Sequence, residues 1–273
     1  MGQHHRHPLL DSCRIDISVP SAARMYEFLM GGREYYEADR DACEELLRLA
    51  PGIGAIPVIQ RRFLRRVVRY LAREAGIRQF IDCGSGLPAG HSIHEVARQA
   101  APGSRVVYVD NDPIVVAHGR RRLPVDRDTV FVQADISDCD SFLAHPGVRK
   151  VIDFRLPVAV LAVSTLHCVP HHDPHDLVGS IVSRLSPGSF LALSQWVCED
   201  DHLRGAITDF MRERTAGQWG TVQKASAVAR YFQGLKLIPP GTVEVSAWRP
   251  DSQLDPKPLT TTVAEYGGLA RIT

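Results

Sequence analysis

The run Gln79-Phe80-Ile81-Asp82-Cys83-Gly84-Ser85-Gly86 constrains the fold more than any other stretch of the chain. A short apolar strand ends on an acid, and two glycines follow directly. A second apolar run, Arg105-Val106-Val107-Tyr108-Val109, ends on Asp110, 28 residues after Asp82. That interval holds one helix and two turns, so the runs read as parallel strands joined by a crossover. Glycine removes the Cβ where backbone must approach a ligand. An acid at the tip of the next strand can accept hydrogen bonds from both hydroxyls of a ribose. Together they describe a nucleotide-type pocket.

The alternation continues beyond Asp110. Strands are expected at 79–82, 105–110, 130–134, 158–163 and 189–195, with helices near 91–100, 113–123, 139–152 and 174–185 between them. The strands are short and apolar on both faces, as buried parallel strands are. Further helices are expected near 202–216 and 222–233, and short strands near 235–238, 243–248 and 268–272. The fold class is therefore α/β, a doubly wound, mostly parallel sheet. Ahead of it, Pro20-Ser21 opens a helix that stops at Gly31-Gly32, and helices over 38–50 and 57–75 follow. We read residues 1–19, with His4, His5 and His7, as a mobile arm. Residues 20–273 read as one domain, with 20–76 as a helical lid and 77–273 as the α/β core.

Composition excludes more than it selects. A formal net charge of +1 gives no hint of a polyanionic partner at the level of the whole chain. The third N-terminal helix carries Arg61, Arg62, Arg65, Arg66 and Arg69 opposite an apolar stripe. An arginine face can hold nucleic acid, but the neutral chain and the lack of a reader motif favour a solvated face. The six cysteines form no CxxC pair, so they read as reduced thiols of a cytoplasmic protein. No apolar run approaches the ~18 residues of a membrane span.

The glycine turn continues Leu87-Pro88-Ala89-Gly90 and lacks the third glycine of a dinucleotide fingerprint. S-adenosylmethionine, which has no phosphate, suits it better, and Asp82 places negative charge near a ligand with an ammonium and a sulfonium. Asp110 would take the ribose, with Asn111 beside it. Asp112-Pro113 is a helix N-cap and first turn. Asp135 can accept from an adenine amine while Ile136 packs on the ring. The fourth strand opens into Ser164-Thr165-Leu166-His167, at the carboxyl end where ligands of such sheets lie. His167 is a candidate general base or a packed loop histidine; Tyr35 and Tyr36 are the other candidate bases. His171-His172-Asp173-Pro174-His175 can be read as a metal cluster, but Asp173-Pro174 is also a helix start, and no metal is expected.

These motifs resemble class I S-adenosylmethionine-dependent methyltransferases. More closely, the chain is similar to a little-characterised S-adenosyl methyltransferase family abundant in high-GC bacteria. The likeness rests on Pro20-Ser21-Ala22-Ala23-Arg24-Met25-Tyr26 through Gly31-Gly32, on Arg69-Tyr70-Leu71-Ala72 with Gly76-Ile77-Arg78-Gln79-Phe80, on Arg105 through Pro113, and on Leu185-Ser186-Pro187-Gly188-Ser189. It implies a Rossmann-like, seven-stranded sheet whose last strand is antiparallel. The cofactor would lie across Asp82, Cys83, Gly84, Ser85 and Gly86, then Asp110, Asn111, Asp135, Ile136 and Ser164. Tyr26, Met30, Gly31 and Gly32 would close over its methionine end. Cys83 departs from the usual apolar residue at its position.

The function that follows is methyl transfer from S-adenosylmethionine to an unidentified acceptor, with a small molecule favoured over nucleic acid and no membrane partner. A non-catalytic S-adenosylmethionine sensor, a nicotinamide-dependent oxidoreductase and a nucleic-acid methyltransferase remain open alternatives. Oligomeric state is not legible in the sequence.

Overall fold

A computed structural model describes residues 16–88, 90, 92–122, 126–252 and 262–273. Residues 1–15, with His4, His5, His7 and Cys13 of the expected arm, lie outside the described residues. Three helices come first: α1 (Ala22–Leu29), α2 (Glu37–Leu49) and α3 (Ile56–Arg73). Ser21 caps α1 by accepting from the Arg24 amide, and Gly31, at φ +73°, takes the left-handed turn that ends it.

The α/β part follows the expected order. The strands are β1 (Gln79–Cys83), β2 (Arg105–Asp110), β3 (Thr129–Gln133), β4 (Ala159–Val163) and β5 (Phe190–Cys198). Between them run α4 (Ile93–Ala100), α5 (Pro113–Arg122), α6 (Cys139–Ala144), α7 (Pro146–Val151) and α8 (Pro174–Val182). Then come α9 (Asp201–Arg214), α10 (Ala225–Arg230), β6 (Lys236–Leu237), β7 (Val243–Glu244) and β8 (Val263–Arg271). The single helix expected over 139–152 is two, because Pro146 forces His145 into an extended conformation (ψ 131°).

The strands lie in the order β3-β2-β1-β4-β5-β8-β6, with the two-residue β7 beside β8. Seven strands along the path meet the expectation, and β7 adds an eighth. The first five are parallel. β8 runs antiparallel to β5, from Phe190↔Arg271 to Cys198↔Val263. Every residue of β1, β4 and β5 is buried, which is why their sequences do not alternate. Neighbouring residues still feed opposite faces. Ile81, Val107 and Val160 join the core under α6, α7 and α8, whereas Phe80, Val106 and Leu161 join the one under α3 and α4.

Within 20–76, α3 lies on the sheet face itself, with Phe63, Leu64, Val67, Val68 and Leu71 in the second core. Each such buried side chain contributes about 1.5–3 kcal/mol. The arginine face departs from the solvated reading. Arg66 is buried, donating from Nε to Trp248 O (2.8 Å) and from Nη2 to Val245 O (2.6 Å). Helices α1 and α2 help build a third core instead, where Met25 and Leu46 meet Trp196, Met211 and Trp219. A buried ion pair ties them together: Asp39 accepts from Arg24 Nε (2.8 Å), Tyr36 N (2.8 Å) and Ser21 N (3.0 Å). Among the described residues no helix is long and apolar enough to cross a membrane.

Candidate active site

A parallel sheet aims its strand C-termini and following turns at one edge. Here they open into a cavity of about 730 Å³, roofed by α1 and flanked by α3 and α9. In sheet order, Asp135 and Ile136 follow β3, Asp110 and Asn111 end β2, Asp82 and the Gly84–Gly86 turn end β1, and Ser164 follows β4. All of these residues line the cavity, as do Ser85, Tyr26, Met30 and His167. The three strand-tip acids thus face one space.

Asp110 shapes the glycine turn. Its Oδ2 accepts from Gly86 N at 2.9 Å, and its Oδ1 from Asp112 N at 3.0 Å. Gly84 and Gly86 adopt φ of +67° and +65°, which the lack of a Cβ permits. Gly84 also has no room for a side chain: a Cβ would stand 2.4 Å from Thr165 Cγ2. Thr165 is fastened there by its hydroxyl, which donates to Cys83 O at 2.8 Å. Asp112 accepts from Ile114 N at 2.8 Å, the N-cap its sequence suggested.

Burial governs the acids. It pushes the Asp82 carboxyl up to about 7; nearby Arg61 opposes this and Asp110 adds to it. It pushes Asp110 up to about 6, against the amides of Asp112 and Gly86. Asp135 is exposed and accepts from Ser137 N at 2.8 Å.

Past β4, Ser164 sits at φ +59°. Its amide donates to Ser194 O at 2.9 Å and its hydroxyl to Glu265 Oε2 at 3.3 Å. Glu265 also accepts from Ser194 Oγ at 2.6 Å. Burial lifts Glu265 to about 8, against both hydroxyls. The buried Tyr26 hydroxyl faces Ser164 and Glu265 without a well-formed hydrogen bond. His167 is buried between two indoles, 5.3 Å from the Trp196 ring and 4.9 Å from that of Trp219. Burial drops its imidazole to about 3. It is therefore neutral at physiological pH and a weak base, which counts against the role of general base.

Five expected residues do not line the cavity. Tyr35 packs edge-on against Phe28 at 4.9 Å. Tyr36 is 41% exposed with the Arg24 guanidinium over its ring. Both lie in the α1–α2 connection and neither lines the cavity, so neither is placed as a base. Gly31 is an exposed helix terminator, and Gly32 is pressed against the Glu27 side chain. The side chain of Cys83 follows strand alternation into the opposite core, leaving only its carbonyl to Thr165. Asp173 caps α8, accepting from His175 N at 2.8 Å.

Sequence reasoning missed Gln60, Arg61, Thr165, Trp196, Met211 and Trp219 on the cavity wall. It also missed Glu265 beneath it, although an acid inside the apolar run of β8 was a visible signal. Among the described residues, ten buried side-chain N or O atoms lack a hydrogen-bond partner, and seven belong to residues lining this cavity: Tyr26, Gln60, Arg61, Ser85, His167, Trp196 and Trp219. Such atoms carry a desolvation cost.

Known proteins place this architecture. Residues 9–273 match the model of the S-adenosyl methyltransferase family. A putative methyltransferase from Thermobifida fusca YX shares 37% identity, with a TM-score of 0.87 over 94% of this chain and 97% of its own. A DUF574 family protein from Streptomyces avermitilis MA-4680 shares 34% identity, with a TM-score of 0.88 over 95% of this chain and 100% of its own. An O-methyltransferase family protein from Burkholderia thailandensis, at 14% identity and a TM-score of 0.51, covers 94% of this chain and 65% of its own, and shares the fold alone. No curated protein sequence matches the chain. The chain belongs to the S-adenosyl methyltransferase family and is an S-adenosylmethionine-dependent methyltransferase.

Proposed function

We propose that this enzyme transfers a methyl group in line to a small-molecule acceptor held in the same cavity as the cofactor. The observation that carries this reading is the shared cavity. Its β1–β3 side presents Asp82, Asp110 and a glycine turn, and its β5 side is walled by aromatic and thioether side chains.

The residues fit the cofactor. Gly84 and Gly86 line the cavity at positive φ, so the turn presents bare backbone to it. Asp110 offers a carboxylate to the ribose, Asp135 one to the adenine amine, and Ile136 an apolar surface to the ring. Asp82, beside Arg61, would meet the positively charged methionine end. Bound there, S-adenosylmethionine would supply an electrophilic methyl carbon to the acceptor's lone pair, with the electron pair of the carbon–sulfur bond passing to sulfur.

The protein's part is alignment and exclusion of water. Tyr26 on α1 and Met30 just after it cover the site, and the Arg24–Asp39 pair holds α1 in place. Neutral His167 accepts or donates a hydrogen bond and leaves the acceptor's proton to solvent. We place the reaction in the cytoplasm, which suits the five free thiols among the described residues.

Calorimetry tests the reading. Wild-type protein is expected to bind S-adenosylmethionine and S-adenosylhomocysteine, and Asp110→Ala to lose both. If wild-type protein binds neither, the proposed site is wrong.

A further inference from the structure

The β5 end of the cavity has a chemistry of its own. β2 and β5 lie three strand spacings apart in the sheet order, roughly 14 Å. A ligand anchored at Asp110 leaves space over β5 for a second molecule. That space is bounded by Trp196 at the end of β5, Trp219 after α9, His167 after β4, and Met25, Leu46 and Met211.

Three properties define its occupant. First, it is flat. The Trp196 and Trp219 planes meet at 59° with centroids 5.3 Å apart, so a ring stacked on one indole, a favoured arrangement, lies tilted against the other. The thioethers of Met25 and Met211 add polarizable surface. Second, it carries a hydrogen-bond acceptor. The indole Nε1 atoms of Trp196 and Trp219 are buried and unpartnered, and an indole N–H can only donate. Third, it is uncharged. His167 is neutral at physiological pH and burial keeps the nearby Cys168 thiol protonated; Thr215 and Gln218 line the same cavity, as do the exposed His171 and His172. An ionised ligand would be desolvated against Trp196, Trp219 and His167, none of which carries a counter-charge.

We infer that the acceptor is an uncharged, planar aromatic molecule bearing a hydrogen-bond-accepting oxygen, seated against Trp196, Trp219 and His167. This deepens the reading of the cavity given above and rests on it.

The test uses full-length protein saturated with S-adenosylhomocysteine and three probes: 2-naphthol, naphthalene-2-sulfonate and decahydro-2-naphthol. They share a two-ring frame and differ in charge or planarity. Titration calorimetry and quenching of tryptophan fluorescence are expected to show saturable binding of 2-naphthol, with the other two at least tenfold weaker. Trp219→Leu is expected to weaken 2-naphthol at least tenfold and to change S-adenosylhomocysteine affinity less than twofold. The inference is overturned if 2-naphthol fails to bind the saturated protein, or if the sulfonate or the saturated alcohol binds as tightly. It is equally overturned if a folded Trp219→Leu binds 2-naphthol like wild type. Should Trp219→Leu not fold, the wild-type probe comparison decides alone. Failure of S-adenosylhomocysteine itself to bind would instead remove the underlying cofactor assignment.

Discussion

The carboxylate of Asp110 accepts the backbone N–H of Gly86 at 2.9 Å. One side chain therefore sets the shape of the glycine turn and offers its charge to the cavity that the turn borders. A hydrogen bond to a charged group contributes about 1.5–3 kcal/mol. We expect Asp110→Asn to weaken S-adenosylmethionine by about tenfold or more, because it loses the charge and its single amide oxygen can accept from only one of the Gly86 and Asp112 amides. Asp110→Ala should weaken it further, because the Gly86 and Asp112 amides lose their partner. Calorimetry on both variants checks the order; equal affinity for wild type and Asp110→Ala would contradict the role.

Cofactor affinity should rise with pH. The carboxyls of Asp82, Asp110 and Glu265 all stand above their unfolded values, at about 7, 6 and 8. The ligand-free folded protein therefore holds more protons than the unfolded chain. This contribution to stability is complete below the unfolded pKa values of 3.8 and 4.5 and is lost as pH rises through 6 to 8. A positively charged ligand favours ionised Asp82 and Asp110, so binding releases protons over the same window. Calorimetry in buffers of different ionisation enthalpy should detect that release near pH 6 to 7, and the ligand-free melting temperature should fall from about pH 5 to 8. A flat pH dependence of both would refute the assignment.

Gly84→Ala should destabilise the protein as well as the site. The new methyl would meet Thr165 Cγ2 at 2.4 Å and Oγ1 at 2.8 Å, on a backbone at φ +67°. The left-handed conformation alone costs about 1–3 kcal/mol for a non-glycine residue. Adding Thr165→Ser removes the nearer contact while keeping a hydroxyl for Cys83 O, and should restore part of the melting temperature. No gain in the double variant would rule out the steric explanation.

Arg66→Met should lower stability without touching the cavity. It keeps the aliphatic stem and strands two carbonyls, Trp248 O and Val245 O, at about 1–3 kcal/mol for each buried group left unpaired. Urea unfolding measures the loss. A change below about 0.5 kcal/mol would return Arg66 to the class of ordinary surface residues.

How much was legible differs sharply between strands and walls. The acids at 82, 110 and 135 and the glycines at 84 and 86 could be placed because strand, turn and crossover lengths are local. A parallel β-α-β unit leaves one edge for its strand tips. The α3 arginines could not be sorted. Sequence shows one face, but Arg66 turns to the 245–248 backbone and Arg61 to the cavity. Tyr35 and Tyr36 carry suitable hydroxyls, yet neither lines the cavity.

Sequence alone determined the parallel strands and the half of the cavity built from strand-tip acids and the glycine turn, since these follow from periodicity and short-range spacing; the antiparallel β8 was implied by the family resemblance. Only the tertiary structure decided the other half. Gln60 reaches Val163 O across 103 residues, Ser164 reaches Glu265 across 101, and Met25 shares a core with Trp196, Met211 and Trp219. Such contacts depend on how helices settle on a finished sheet, and burial then sets the charge of His167 and Glu265. No local pattern encodes either.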